Sequence, residues 1–430
     1  MHEVLATVLA GGRGKRISTL CYDRPKSILP FAGRLRVIDF SLSNCFHSGI
    51  GTVAVLADYQ RRSLAEYIGH WNSANAASGN LHILEPLTGS YRGTADAVYQ
   101  NLGYVQQYSA DRVLVLAGDH VYRMDYRKML ACHEQTKADV TVGVVQVPIQ
   151  QAHRFGTVTV DGESRIISFV EKSSTPRSNM VSMGIYVFNT DVLVKRLTED
   201  ARADSPHDFG YAVIPGMVKK DRVYAYKFDD YWRDIGTIEA YYAANMELIR
   251  DKPPFALEGA WPVLTGDHSP SLTRVSQQGS VRSSIVSPGC MIKGQVANSI
   301  LSSGVWVEEQ AVVTNSIIMS NVFIGYHSVV DHCVLDEEVN VGKLSYVGFR
   351  GGTLSDNQDI AVLGKGATVP AHTAIGANCR VLPHVGLADF TASMIAPGEV
   401  ISPRTAGNTT LAVEKAKISD IQGREEGVKT

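Results

Sequence analysis

The residues best equipped for chemistry stand at the ends of apolar runs. The first set, Leu9-Ala10-Gly11-Gly12-Arg13-Gly14-Lys15-Arg16, closes a run that starts at Val4. Glycines let the backbone approach an anion closely, and successive N–H groups form a cradle for it. Arg13 and Arg16 add fixed positive charge. Spacing excludes two commoner glycine loops. A dinucleotide fingerprint from Gly12 needs glycine at Ile17, and a P-loop ending in Gly14-Lys15 needs Ser or Thr at Arg16 and glycine at Leu9. Arg24-Pro25-Lys26 offers a further cation to the same anion. Alone, the segment reads equally well as a tight turn.

Two carboxylates follow the same logic. Val113–Ala117 delivers Gly118-Asp119-His120, and Asp119 suits Mg²⁺, which takes hard oxygen ligands and keeps waters and substrate phosphates. Asp234, in Tyr231-Trp232-Arg233-Asp234-Ile235-Gly236-Thr237, is a second carboxylate able to share that metal, ahead of a helix expected near Ile238. Singly, each reads better as a turn or capping residue. Phe155-Gly156, Glu171-Lys172, Ser182-Met183-Gly184 and His207-Asp208-Phe209-Gly210 lie at further strand ends. Carboxylates and close backbone suit sugar hydroxyls, and a lysine suits a phosphate. Each is weak alone, since such residues are commonly just solvated.

These groups need a frame to bring them together. Val4–Ala10, Thr52–Ala57, Arg112–Ala117 and Val140–Val147 read as strands. Between them lie helical spacings such as Val98, Leu102 and Val105 after an N-cap at Thr94. Apolar strands alternating with helices imply a Rossmann-like, mostly parallel α/β sheet covered on both faces. Ligands of such sheets sit beyond the strands' carboxyl ends. Residues 1–251 form this unit, and four prolines between Lys252 and Pro270 mark a linker over 252–275. From 276 to 410 a different period rules. Every sixth residue from Val305 (Ala311, Ile317, Phe323, Val329, Leu335, Val341, Val347) is apolar, as is the neighbouring column through Trp306. The step resumes at Leu363 after a loop from Gly348 to Asp359. A six-residue period predicts a parallel β-helix. A polar tail occupies 411–430.

Composition narrows the class. A net charge of −2 with no block of like charge argues against a nucleic-acid or membrane partner, so an anionic substrate needs placed cations. The start at Met1-His2-Glu3-Val4 has no basic n-region, and no apolar run reaches a membrane span. Six scattered cysteines without CxxC spacing fit a reducing compartment. The expected location is the cytoplasm.

Taken together, Leu9–Arg16, Arg34–Asn44, Tyr91–Asp96, Leu116–Tyr122, Glu171-Lys172, Ser182–Phe188 and Tyr231–Thr237 resemble, in order, the bacterial ADP-glucose pyrophosphorylases (glucose-1-phosphate adenylyltransferases). The hexad repeat is similar to that family's C-terminal left-handed β-helix. The resemblance implies ATP and glucose 1-phosphate as substrates and Mg²⁺ as cofactor. It implies that Leu9, Gly11, Gly12, Arg13, Gly14, Gln60, Gly93 and Thr94 bind the nucleotide, with Arg16 and Lys26 on its phosphates. Tyr91, Gly156, Glu171, Lys172, Ser182, Asp208 and Phe209 would hold glucose 1-phosphate, and Asp119 and Asp234 the metal. Arg16, Lys26 and Asp119 would carry catalysis. Members are generally homotetramers with allosteric effectors, acting in glycogen synthesis. The family's Arg-Ala-Lys-Pro stands here as Arg24-Pro25-Lys26-Ser27, and Asp23 replaces a lysine that some members use for activator. Competing readings are a transferase using UTP or dTTP, a non-catalytic regulatory homologue, and acetyl transfer by the β-helix through His327, His332, His372 or His384.

Overall fold

Aliphatic runs without polar alternation form strands buried on both faces, and the first unit is built on them. The computed structural model describes residues 3–267, 271–350 and 359–404, in two compact units. In the first, β1 (Val4–Leu9), β2 (Thr52–Leu56), β3 (Asn80–Leu84) and β4 (Arg112–Ala117) lie parallel in the order β3-β2-β1-β4. The chain then leaves the sheet in β5 (His120–Tyr122) and re-enters it in β6 (Val140–Gln146). Two antiparallel strands, β7 (Gly156–Val160) and β8 (Ile166–Glu171), form one edge. The long β9 (Met180–Asn189) runs antiparallel to β4 and also pairs with β6 and β7, while β10 (Val223–Lys227) lies parallel to β6. Outside the sheet, β11 (Trp232–Asp234) pairs with β5 and sets Asp234 opposite His120.

Both faces are covered. Val8, Leu114 and Leu116 pack with Leu42, Ile68 and Trp71 from the helices Ile38–His47 and Arg61–Ala74. Leu5, Val113 and Val115 pack on the other face with Val98 and Leu193 from Thr94–Gln100 and Thr190–Ala201. Leu116 is wholly buried, so truncating it to alanine would cost about 2–5 kcal/mol.

The four expected strands form within a residue of their predicted ends. The expected cap at Thr94 does not: Gly93 is the N-cap, and the Thr94 hydroxyl instead donates to Asp208 Oδ2 at 2.9 Å. The proline-rich stretch expected as a linker also differs, because its apolar residues find partners. Phe255 packs edge-on to Phe40, the Trp261 indole donates to Asn44, Val263 is buried, and Thr265 and Gly266 bond to the Tyr67 hydroxyl.

The second unit carries three sheets of short parallel strands, of six, seven and seven members, from Arg274–Val275 to Val400–Ile401. This is the expected left-handed parallel β-helix of hexapeptide repeats. Successive coils in the middle of the unit are 17 residues apart, as from Trp306 to Phe323 and on to Asn340, while steps elsewhere are 15, 18 or 20. Three hexads need 18, so one side of these coils is a residue short. The buried series therefore runs Leu301, Val307, Val313, Ile318, Ile324, Val330, Leu335. A strict sixth-residue column walks off it, and Phe323 and Trp306 come out 37% and 38% exposed. The step from Asn340 to its partner Thr368 is 28, and the expected loop from Gly348 to Asp359 falls within it. That loop's centre and the tail 411–430 lie outside the described residues. His327, His332, His372 and His384 all have left-handed backbone (φ 57°, 55°, 60° and 61°), the geometry of coil corners. All six cysteines are free, and no helix among the described residues is long and apolar enough to cross a membrane.

Candidate active site

Parallel register makes the site. Leu9 of β1 pairs with Leu56 of β2 and Ala117 of β4, so the Gly11–Arg16 loop, Asp58-Tyr59-Gln60 and Asp119 all leave the sheet at one carboxyl edge. Gly11 allows this crowding: a Cβ there would stand 2.7 Å from that of Asp58. Gly14, at φ 60°, turns the chain into the short helix Lys15–Leu20. Nothing lies within 4 Å of a Cβ at Gly12, which leaves its outer side open to a ligand. The loop is tied down from behind, since Lys26 N–H donates to the Gly12 carbonyl and Ser27 Oγ to that of Ala10. Arg13 lies over the Tyr59 ring, and the Gln60 amide and Tyr59 hydroxyl both donate to the Tyr22 carbonyl.

The two aspartates meet at one point. Lys26 Nζ donates to Asp119 Oδ2 at 3.0 Å and to Asp234 Oδ1 at 2.9 Å. Arg154 holds the other oxygen of Asp234 at 3.1 Å, and His120 Nε2 stands 3.6 Å from Asp119. Asp234 is 10% exposed and Asp119 35%. Burial pushes both carboxyls up, but the Lys26 charge, then that of His120, draws both below the ordinary carboxylate range. Burial likewise opposes the Lys26 charge, and the two aspartates more than restore it. Neither aspartate caps a helix. Thr237 caps Ile238–Met246, accepting from the Ala240 N–H. Gly236 leaves room for Arg16, whose guanidinium would lie 2.5 Å from a Cβ at that position.

This donor set fits Mg²⁺. Two carboxylate oxygens, one from the bend between β4 and β5 and one from β11, converge on one point, and magnesium commonly takes one or two carboxylates, with waters and substrate phosphates completing the shell. No group of three or more His, Cys, Asp or Glu suited to a metal occurs among the described residues, so the other ligands would come from solvent and phosphate.

A second cluster is built around Glu171. Its carboxylate fills the space that side chains on Gly156 and Gly210 would need, with Oε2 2.6 Å from a Cβ at either. Lys172 Nζ lies 3.2 Å from Glu171 and 5.3 Å above the Tyr211 ring. Burial raises the Glu171 carboxyl, against the opposing pull of Lys172. Asp208 accepts from the Thr94 hydroxyl and from the N–H groups of Gly210 and Tyr211, while Phe209 N–H donates to Thr94. Ser182 Oγ lies 3.4 Å from the buried Tyr186 hydroxyl.

Comparison with known proteins agrees with this geometry. A family model described as "Nucleotidyl transferase" matches residues 5–251, and one described as "GlmU-like, C-terminal hexapeptide" matches 271–369. A glucose-1-phosphate adenylyltransferase of Acetivibrio thermocellus is 40% identical over 409 residues, covering 91% of this chain and 96% of that protein. Namesakes from Desulfitobacterium hafniense and Bacillus anthracis are 42% and 41% identical, covering 72% and 73% of this chain and 81% and 86% of theirs. The chain belongs to the glucose-1-phosphate adenylyltransferase family.

For this adenylyltransferase-family chain, the structure sorts the sequence-predicted residues into two groups. Gly11, Gly12, Arg13, Gly14, Arg16, Lys26, Gln60, Asp119 and Asp234 share the β1–β4 edge and its flank. Gly156, Glu171, Lys172, Ser182, Asp208 and Phe209 make the second cluster. Gly93 and Thr94, expected by the nucleotide, are joined to that cluster; a Cβ on Gly93 would strike the His207 carbonyl. Tyr91, expected by the sugar, donates to the Leu84 carbonyl and accepts from Asn101. Sequence reasoning passed over Arg154 and Tyr211, and named His120 and Gly210 within their motifs without giving either a role. Arg154 sits in a short turn, Ile149–Arg154, with no pattern to mark it.

Proposed function

We propose that this nucleotidyltransferase joins ATP to α-D-glucose 1-phosphate, giving ADP-glucose and pyrophosphate. The supporting observation is the convergence of Asp119 and Asp234 beside a glycine–arginine loop, with a separate lysine–carboxylate pocket at Glu171-Lys172. A phosphate oxygen of the sugar phosphate attacks the α-phosphorus of ATP. As that P–O bond forms, the bond to the β-phosphate oxygen breaks, and pyrophosphate leaves with the electron pair. No covalent enzyme intermediate is required. The N–H groups of Gly11, Gly12 and Gly14 cradle the triphosphate, and Arg13 and Arg16 neutralise it. Lys172 holds the sugar phosphate, while Glu171 and Asp208 accept from sugar hydroxyls. Holding two anions in line supplies much of the acceleration. Mg²⁺ bound to Asp119 and Asp234 would supply Lewis-acid stabilisation of the charge on the transferring group.

The same reading makes the protein a cytoplasmic homotetramer, feeding glycogen synthesis and answering to small-molecule effectors. Its support is the family membership together with the composition of the chain. The test is pyrophosphate release with glucose 1-phosphate and each nucleoside triphosphate in turn. ATP should be used at least about tenfold better in kcat/KM, a difference of about 1.4 kcal/mol. Faster release with UTP or dTTP overturns the adenylyl assignment.

A further inference from the structure

Lys26 stands where a metal would. Its ammonium is 2.9–3.0 Å from one oxygen of each aspartate, and its side chain is only 7% exposed. Magnesium binds carboxylate oxygens at about 2.0–2.1 Å. An ion shared by Asp119 Oδ2 and Asp234 Oδ1 would need the same two oxygens that Nζ already holds. The ammonium and the divalent ion therefore compete for them. The local charge is also already settled, with two carboxylates facing Lys26 and Arg154. No excess negative charge is left to draw a further cation.

The backbone of Lys26 is fixed to the loop that cradles the phosphates, through its N–H to the Gly12 carbonyl at 3.2 Å. A triphosphate on that loop brings several negative charges within reach of the lysine stem. Its rotatable bonds then carry the ammonium from the carboxylates to phosphate oxygens.

We infer that Lys26 is an internal counter-ion that occupies the carboxylate pair until nucleotide arrives, so that the protein takes up its divalent cation together with the triphosphate and not before. This rests on the proposed assignment of Asp119 and Asp234 to the metal. It adds a coupling between two sites. Nucleotide raises metal affinity by drawing Lys26 away, and the metal raises nucleotide affinity by the same factor. Lys26 thus serves the metal by withdrawing from it.

The test is Mn²⁺ binding to the full chain, followed by paramagnetic resonance of free Mn²⁺ and without turnover. The unmodified protein should bind Mn²⁺ weakly alone, and at least about tenfold more tightly with the non-hydrolysable α,β-methylene analogue of ATP than the analogue by itself does. Lys26→Met should bind one Mn²⁺ without nucleotide at least about tenfold more tightly than the unmodified protein, and adding Asp119→Asn should abolish that gain. Equal nucleotide-free affinity in Lys26→Met and the unmodified protein overturns the counter-ion role, leaving the metal assignment standing. A gain that survives Asp119→Asn overturns the metal assignment itself. Tight stoichiometric binding by the unmodified protein without nucleotide overturns the inference even if Lys26→Met does not fold.

Discussion

Asp119→Asn separates catalysis from stability at the centre of the site. The substitution keeps the shape and removes one negative charge. With 35% of its side-chain surface exposed, Asp119 contributes little to folding through Lys26 and the more distant His120, about 1 kcal/mol. The melting temperature should fall by about 2–4 °C. The charge matters far more to turnover under the proposed function, where losing one of two metal-holding carboxylates removes several kcal/mol from the transition state, or ~10³-fold in kcat. Asp234→Asn provides the contrast. That carboxylate is 10% exposed and held by both Lys26 and Arg154, so neutralising it should cost about 3 kcal/mol of stability beside a similar rate loss. Pyrophosphate release at saturating Mg²⁺ and thermal unfolding of the same preparations give both quantities. Asp119→Asn turning over within tenfold of the unmodified protein would refute the reasoning, since no charge essential to the transition state would then sit at that oxygen.

Under the proposed function Lys172→Ala should raise the KM for glucose 1-phosphate at least about tenfold with little change in kcat, since a lysine on the substrate phosphate would serve ground and transition states alike. A rise confined to the KM for ATP would move Lys172 to the nucleotide. Gly11→Ala should raise the KM for ATP several-fold, because the new Cβ would stand 2.7 Å from that of Asp58 and push the loop aside; steady-state kinetics with ATP varied reads this directly. Asp39 tests the core, as burial drives its carboxyl up to about 7 despite donation from the Tyr67 hydroxyl and Arg36 N–H. An acid whose folded-state pKa is raised stabilises below its unfolded pKa, and that contribution is lost as pH climbs through about 7. Urea unfolding at pH 5 and pH 8 should show this loss, of a few kcal/mol, and Asp39→Asn should flatten it. An unchanged pH dependence in the variant would place the titrating group elsewhere.

Much of this architecture was legible because strand ends announce themselves. Asp119 and the Gly11–Arg16 loop each follow an unbroken apolar run, and parallel strands must release their loops at one edge. Other features depend on encounters that local pattern does not encode. Lys26 reaches partners 93 and 208 residues away, and nothing in Arg24-Pro25-Lys26 distinguishes a phosphate ligand from a lysine lodged between two carboxylates. Thr94 looked like a cap because threonine often caps, yet its hydroxyl is taken by Asp208 across 114 residues. The segment around Trp261 lacked periodicity because a strap of irregular chain has none, although Phe255, Trp261 and Thr265 find partners on the first unit. In the β-helix a period of six was visible, but the departures of single coils from 18 residues were not, since isoleucine and valine populate both the inner and outer columns there.

The shortened coil sets rules for how this half of the gene can change length. Each rung touches only the rungs above and below it, so removing a whole coil rejoins like with like. Deleting one residue from a flat side instead turns every inward position of that side outward, because side chains alternate along a strand. The chain can therefore gain or lose a whole coil at a stride, and the steps of 15, 17, 18 and 20 residues between paired strands show that smaller differences are taken up at the corners. Length variation among descendants of this sequence should accordingly come in whole coils and corner insertions.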